Sequence, residues 1–166
     1  VFTDLAIDWV GQQSQPWFLW LAYTAPHTPF HLPPDSLHDR TNLTGADDDI
    51  EARPRPYYFA SLEALDTEMG RLLENVDLED TIVIFIGDNG TPGKASQSPV
   101  ERTRAKGSIY EGGIHVPMIV AGNGVTRQGV RDSALINTVD LFATIADLAG
   151  TGTTEIHDSV SFSPTF

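Results

Sequence analysis

The sequence predicts an α/β fold, a parallel-rich sheet flanked by helices, in one partial domain over residues 1–166. Three observations predict it. The run Thr81-Ile82-Val83-Ile84-Phe85-Ile86-Gly87 is apolar on both faces, as a strand buried between helices must be. It enters Asp88-Asn89-Gly90, and the Pro-, Gly- and Ser-rich Thr91 to Ser98 offers no return strand for a hairpin. Two oxygen-donor side chains therefore fall at the carboxyl end of a strand, where open α/β sheets bind their ligands. Helical periodicity before this strand, and a second strand and helix after it, complete the alternation of a helix-covered sheet.

Taken in order, Leu5, Ala6, Trp9 and Val10 make a helical stripe ending near Gly11, and Trp17 to Tyr23 reads as an aromatic, apolar strand. Thr24 to Asp49 is rich in proline, carries His27, His31 and His38, and closes on Asp47-Asp48-Asp49. It is expected to be an irregular surface loop. Leu62, Leu65, Met69, Leu72, Leu73 and Val76 recur at three and four residues and predict an amphipathic helix starting after Pro56. Thr91 to Ala105 reads as a second polar loop. Val116 to Ala121 is a short strand, Gly122-Asn123-Gly124 a turn, and a helix from about Thr138 to Ala149 is closed by Gly150.

The bulk properties narrow the function. With 40% hydrophobic residues over 166 positions, the chain can bury one core. A formal charge of -13, with ten Lys and Arg, argues against nucleic acid and against an anionic membrane surface as partners. An anionic substrate would need local positive charge from a bound cation and a few placed basic residues. The absence of cysteine excludes disulfides, thiolate zinc sites and cysteine nucleophiles, and it is compatible with any compartment. No stretch approaches the roughly 20 apolar residues of a membrane span. The start, Val1-Phe2-Thr3-Asp4, lacks Met and a basic region before an apolar core, so the chain reads as the middle of a longer protein.

Three places could carry chemistry. Asp88 and Asn89 supply the hard oxygens that Ca²⁺ or Mg²⁺ prefers, although two adjacent residues cannot complete a shell of about six to eight ligands. Taken alone, Asn89-Gly90 is also an ordinary turn dipeptide. His27, held between Pro26 and Pro29, could donate a proton or hydrogen bond to a leaving oxygen, or be an inert loop histidine. Lys106 could act as a point charge on a sulfate or phosphate oxygen, or be an exposed surface lysine. Glu111-Gly112-Gly113 provides a tight backbone path beside them.

The ordered segments FLWLAYTAPHTPFHLPP, SLEALDTEMGRLLENVDLEDTIVIFIGDNG, KGSIYEGGIHVPMIVAGNGV and VDLFATIADLAG together resemble the sulfatase family of the alkaline-phosphatase-like superfamily. The likeness runs from about Thr3 to Phe162. It implies a partial alkaline-phosphatase-like core in which Asp88 and Asn89 are calcium ligands, His27 is the active-site histidine and Lys106 binds the sulfate. Glu111 is then a supporting residue, and His115 stands where many relatives have arginine. The family's formylglycine nucleophile, made from a Cys- or Ser-x-Pro-x-Arg motif, is expected upstream and not in this chain, together with an acidic pair of metal ligands. Ser14-Gln15-Pro16-Trp17-Phe18 is the nearest match and lacks the arginine.

The resemblance implies a metal-dependent sulfuric ester hydrolase acting on a sulfated small molecule or glycan, with this chain an inactive fragment that binds calcium weakly or not at all. A phosphoester or phosphonate hydrolase of the same superfamily is the first alternative. A non-catalytic, sulfatase-derived binding module is the second. Absent strands would leave sheet surface uncovered, through which the chain could self-associate.

Overall fold

Pro54 opens the longest helix, where its fixed φ suits the first turn and its missing N–H costs nothing. This helix, α3 (Pro54–Leu73), is preceded by α1 (Phe2–Val10) and α2 (Asp47–Ala52), and followed by β1 (Ile82–Ile86), α4 (Glu111–Ile114), β2 (Met118–Gly122) and α5 (Asp140–Leu148). The computed structural model describes residues 1–152 and 157–166. It divides into one unit of Val1–Asp77 and Phe85–Met118 and another of Leu78–Ile84 and Ile119–Phe166.

In the first unit α3 buries Tyr57, Ala60, Ser61, Ala64 and Leu65, a stripe at three and four residues. The stripe lies nearer the helix start than the leucine pattern predicts. Of the residues in that pattern only Leu65 is fully buried, while Leu62, Met69, Leu72 and Leu73 are half-buried. α1 packs on α3, and Arg71 of α3 joins them by bonding Asp4 at 2.9 Å and Glu68 at 2.6 Å. Trp9 meets Trp17 edge to face at 5.9 Å.

The acidic run Asp47-Asp48-Asp49, expected in irregular loop, forms the first turn of α2. Carboxylates are favourable there because they face the exposed N–H groups at the positive end of the helix dipole. Asp49 does more. Its carboxylate accepts from the Tyr57 hydroxyl at 2.5 Å, from Arg53 Nε at 2.6 Å and from the Thr44 amide at 3.2 Å. The Tyr57 oxygen in turn accepts the amides of Thr44 and Gly45 at 3.1 Å each. Tyr57 is fully buried and shares a core with Phe30 and Ala95, against which Leu32, Leu43, Ile50 and Tyr58 pack. One hydroxyl thus ties the proline-rich segment, α2 and α3 together.

β1 and β2 form a two-stranded sheet, and the boundary between the units falls within both strands. The Gly87 amide bonds the Pro117 carbonyl at 3.0 Å, and the Asn123 amide bonds the Thr81 carbonyl at 3.0 Å. The end of β1 therefore lies beside the start of β2, and the pair is antiparallel. The parallel-rich sheet expected from sequence is thus not confirmed by the one sheet among the described residues. A parallel pair needs a crossover of a dozen or more residues that returns the chain to the same end, usually through a helix. The β1–β2 connection contains a 3-10 turn at Arg102–Arg104, the four-residue α4 and loop that brings the chain back where it left. Trp17 to Tyr23, expected as a strand, has no ladder partner among the described residues. Its side chains still alternate, with Phe18 and Trp20 60% and 64% exposed.

In the second unit, Ser159 fastens the last segment onto α5. Its buried hydroxyl donates to the Val139 carbonyl at 2.7 Å and accepts the Ala143 amide at 2.9 Å. The Phe162 amide bonds Thr144 Oγ1 at 3.0 Å, and the Asp147 carboxylate accepts from Ser161 and Ser163. The predicted helix from Thr138 to Ala149 and strand from Val116 to Ala121 are found within two residues of their expected ends.

Tyr57→Phe removes an acceptor from two loop amides and a donor from Asp49. Urea unfolding should show a loss of about 1 kcal/mol, the net worth of hydrogen bonds among partly exposed groups. The hydrogen bond from Tyr57, and then those from Arg53, hold the Asp49 carboxyl well below the usual carboxylate range. Stability from Asp49 is therefore present above its unfolded pKa of about 3.9 and lost as pH falls through the lower folded value. The substitution should weaken that acid dependence, and unchanged acid unfolding would contradict the network.

Candidate functional site

The Asp-Asn-Gly turn follows β1 directly and is built by backbone contact with the segment that begins α4. The Gly90 amide donates to the Gly113 carbonyl at 3.0 Å, and the Lys106 amide donates to the Thr91 carbonyl at 3.0 Å. Two short bonds thus hold residues 88–91 against residues 106–113. Glycine is required on both sides of the first. A Cβ on Gly90 would lie 2.1 Å from the Gly112 carbonyl oxygen, and a Cβ on Gly113 would lie 2.2 Å from the Ser108 carbonyl oxygen. These distances are far inside van der Waals contact. The Glu111-Gly112-Gly113 sequence, expected as a tight path, is a short helical turn whose Gly113 is buried.

Asp88 is exposed and Asn89 half-buried, and the Asn89 amide nitrogen donates to the Asp88 carboxylate. The two side chains are thus adjacent, with a carboxylate and an amide oxygen as the hard donors of the turn. Among the described residues no group of three or more His, Asp or Glu side chains gathers as a metal site would require. The donor set fits part of an oxygen-ligated cation shell. Ser108 Oγ is the one buried side-chain polar atom among the described residues without a hydrogen-bond partner, and it lies two residues after Lys106.

Of the residues singled out from sequence, Asp88, Asn89 and Lys106 are brought onto neighbouring backbone by these bonds. His27 is exposed, and its bonds are local: its amide meets the Thr24 carbonyl at 2.8 Å and its Nδ1 lies 2.6 Å from the Thr28 carbonyl oxygen. Among the described residues no hydrogen bond joins it to the turn. Glu111 pairs with His115 at 3.0 Å on the exposed face of α4. Sequence reading picked only Lys106 from its loop, yet Lys94, Arg102 and Arg104 lie within the same stretch. Counting charge segment by segment would have marked them, because they stand out in a chain of net charge -13.

Gly90→Ala forces a methyl against the Gly112 carbonyl and should cost about 3 kcal/mol, the upper end of ordinary single substitutions. Gly107→Ala, where a methyl meets open space but φ is +87°, should cost less. Thermal melts of the two variants check this, and equal losses would contradict the close approach.

A sequence model of the sulfatase family matches residues 1–151. The chain is 32% identical over 158 residues to the uncharacterized sulfatase YdeN of Escherichia coli, covering 89% of this chain and 26% of that protein. It is 32% identical over 165 residues to a sulfatase of Formosa agariphila, covering 89% and 29%. Against arylsulfatase K of Gallus gallus it is 34% identical over 113 residues, covering 65% and 20%. The chain spans between a quarter and a third of the first two relatives. A match over most of the chain that contains the Asp-Asn-Gly turn, Lys106 and the Gly90–Gly113 contact shows that the chain belongs to the sulfatase family, whose fold is the alkaline-phosphatase-like α/β fold.

Proposed function

We propose that the protein is a sulfuric ester hydrolase of arylsulfatase type, to which this chain contributes the calcium-facing turn and the sulfate-facing lysine. The observation that supports this most is the backbone clamp between the Asp-Asn-Gly turn and the Lys106 segment, in a chain that belongs to the sulfatase family. Asp88 and Asn89 would hold calcium. When bound, the ion supplies positive charge to the ester oxygens.

The residues of the chain itself do the rest of what is proposed here. Lys106 places an ammonium on a sulfate oxygen. It sits on backbone fixed before substrate arrives, so charge moving onto oxygen is stabilised with little reorganisation. His27 would donate a proton to the leaving oxygen. The residue that becomes formylglycine in the family has no counterpart among these 166 positions, because no Cys- or Ser-x-Pro-x-Arg segment occurs. No step is assigned to it.

Three measurements test the proposal. The 166-residue chain alone, loaded with calcium, should give no His27-dependent turnover of 4-nitrophenyl sulfate, and activity abolished by His27→Ala would mean that it holds its own nucleophile. Joined to a segment carrying the nucleophile motif, it should hydrolyse 4-nitrophenyl sulfate in preference to 4-nitrophenyl phosphate. Lys106→Ala or Asp88→Ala should then lower kcat/KM by about 10²–10³. Preference for the phosphate would assign the chain to phosphoester chemistry instead.

Calorimetric titration of the isolated chain with calcium should give millimolar or weaker binding, since one carboxylate and one amide leave most of about six to eight places to water. Micromolar binding lost in Asp88→Ala would show that other residues of the chain complete the shell.

A further inference from the structure

The basic residues of the first unit fall into two groups. Arg40 pairs with Glu63 at 2.6 Å, Arg53 with Asp49 at 2.5 Å, Arg71 with Glu68 at 2.6 Å, and Arg104 with Glu101 at 3.5 Å. Arg55 donates from Nε to the Ala95 carbonyl at 3.1 Å and from Nη2 to the Ser96 carbonyl. Lys94, Arg102 and Lys106 remain, and none makes an ion pair among the described residues. All three lie in the loop that follows the Asp-Asn-Gly turn. In a chain with 23 Asp and Glu against ten Lys and Arg, this is an unusual place for cations to stay unpaired.

That loop is a fixed scaffold. Its ends are closed by the Lys106 amide on the Thr91 carbonyl at 3.0 Å. Its middle is crossed where Gly93 meets Arg102 so closely that a Cβ would lie 2.8 Å from both Arg102 Cγ and the Arg102 carbonyl oxygen. The turn at its start is held by the Ala95 amide on the Pro92 carbonyl at 2.8 Å and by Ser96 Oγ on the Gly93 carbonyl at 2.9 Å. Ala95 and Ala105 are buried, and Arg55 clamps the carbonyls of residues 95 and 96. Lys94 and Arg102 thus leave adjoining backbone, on the loop that also bears Lys106.

We propose that Lys94 and Arg102 form a second anion-binding subsite beside Lys106, which selects substrates carrying a further fixed negative charge besides the ester sulfate. The proposal rests on the reading of Lys106 as the sulfate-binding lysine and adds what the rest of the substrate looks like. Like charges on one rigid loop repel each other, and an anion removes that repulsion while losing little loop entropy on binding. A single sulfate engages Lys106 alone, whereas a polysulfated saccharide reaches Lys94 and Arg102 as well. Exposed charges of this kind are screened by salt, so the preference should fade as ionic strength rises.

Calorimetric titration of the 166-residue chain with sucrose octasulfate and with potassium sulfate tests this without turnover. Octasulfate should bind more tightly than sulfate at low salt. The double variant K94Q/R102Q should lose about tenfold or more of the octasulfate affinity and flatten its salt dependence, with sulfate binding unchanged. K94R/R102K should retain both, and matching thermal melts keep a folding defect apart from a lost subsite. Octasulfate affinity unchanged in K94Q/R102Q overturns the proposal, as does single-stranded DNA binding as tightly as octasulfate. If the chain joined to a nucleophile-bearing segment never hydrolyses 4-nitrophenyl sulfate but octasulfate binding falls in the double variant, the subsite stands and the hydrolase reading fails.

Discussion

The contact between Gly90 and Gly113 is the constraint on which the rest of the site depends. The amide of one and the carbonyl of the other meet at 3.0 Å, with no room for a side chain on either. A turn carrying Asp88 and Asn89 would otherwise be free to sample many conformations, as exposed polar turns do. The close approach converts it into one edge of a small rigid frame, of which Lys106 and Ser108 form the other. Preorganisation of this kind separates a group of polar residues from a site, because the ordering cost is met in folding and not at binding.

How much of this the sequence disclosed depended on whether the signal was local. α1, α5 and β2 were readable because each carries its own periodicity and its own terminator, such as Gly150 after α5. The Asp-Asn-Gly turn was readable because an apolar run stops abruptly at two polar residues. The direction of the sheet was not, since strand pairing is set by where the connection returns, and residues 87–117 contain no helix long enough to show it. The buried stripe of α3 was misplaced for a similar reason. Leucine spacing marks an apolar face, but which face is covered depends on Phe30, Ala95 and the proline-rich segment, all remote in sequence. In the acidic run, charge spacing alone predicts loop, whereas the same carboxylates favour a helix start.

The charge pattern follows one logic on both sides of the first unit. At Asp49 an acidic side chain is surrounded by donors from Tyr57, Arg53 and Thr44, so the carboxylate is held down in pKa and becomes a structural fastener. Lys94, Arg102 and Lys106 make no ion pair among the described residues, and their loop is built from glycine contacts, buried alanines and the Arg55 clamp instead. Paired charges can hold a fold together. Unpaired ones on a rigid support remain available to a ligand, and a chain of net charge -13 supplies many carboxylates that could have quenched them.

The division between what is fastened and what is left open also explains His27. Among the described residues its amide and ring bond to Thr24 and Thr28, with no hydrogen bond to the Asp-Asn-Gly turn. Proton donation requires hydrogen-bond reach of the leaving oxygen, whereas holding a sulfate oxygen requires only a nearby charge. Lys106 can therefore meet its role from backbone placement alone. In the proposed reading, the group that would bind sulfate is thus fastened to the turn by backbone bonds, whereas the bonds of the histidine that would move a proton are local.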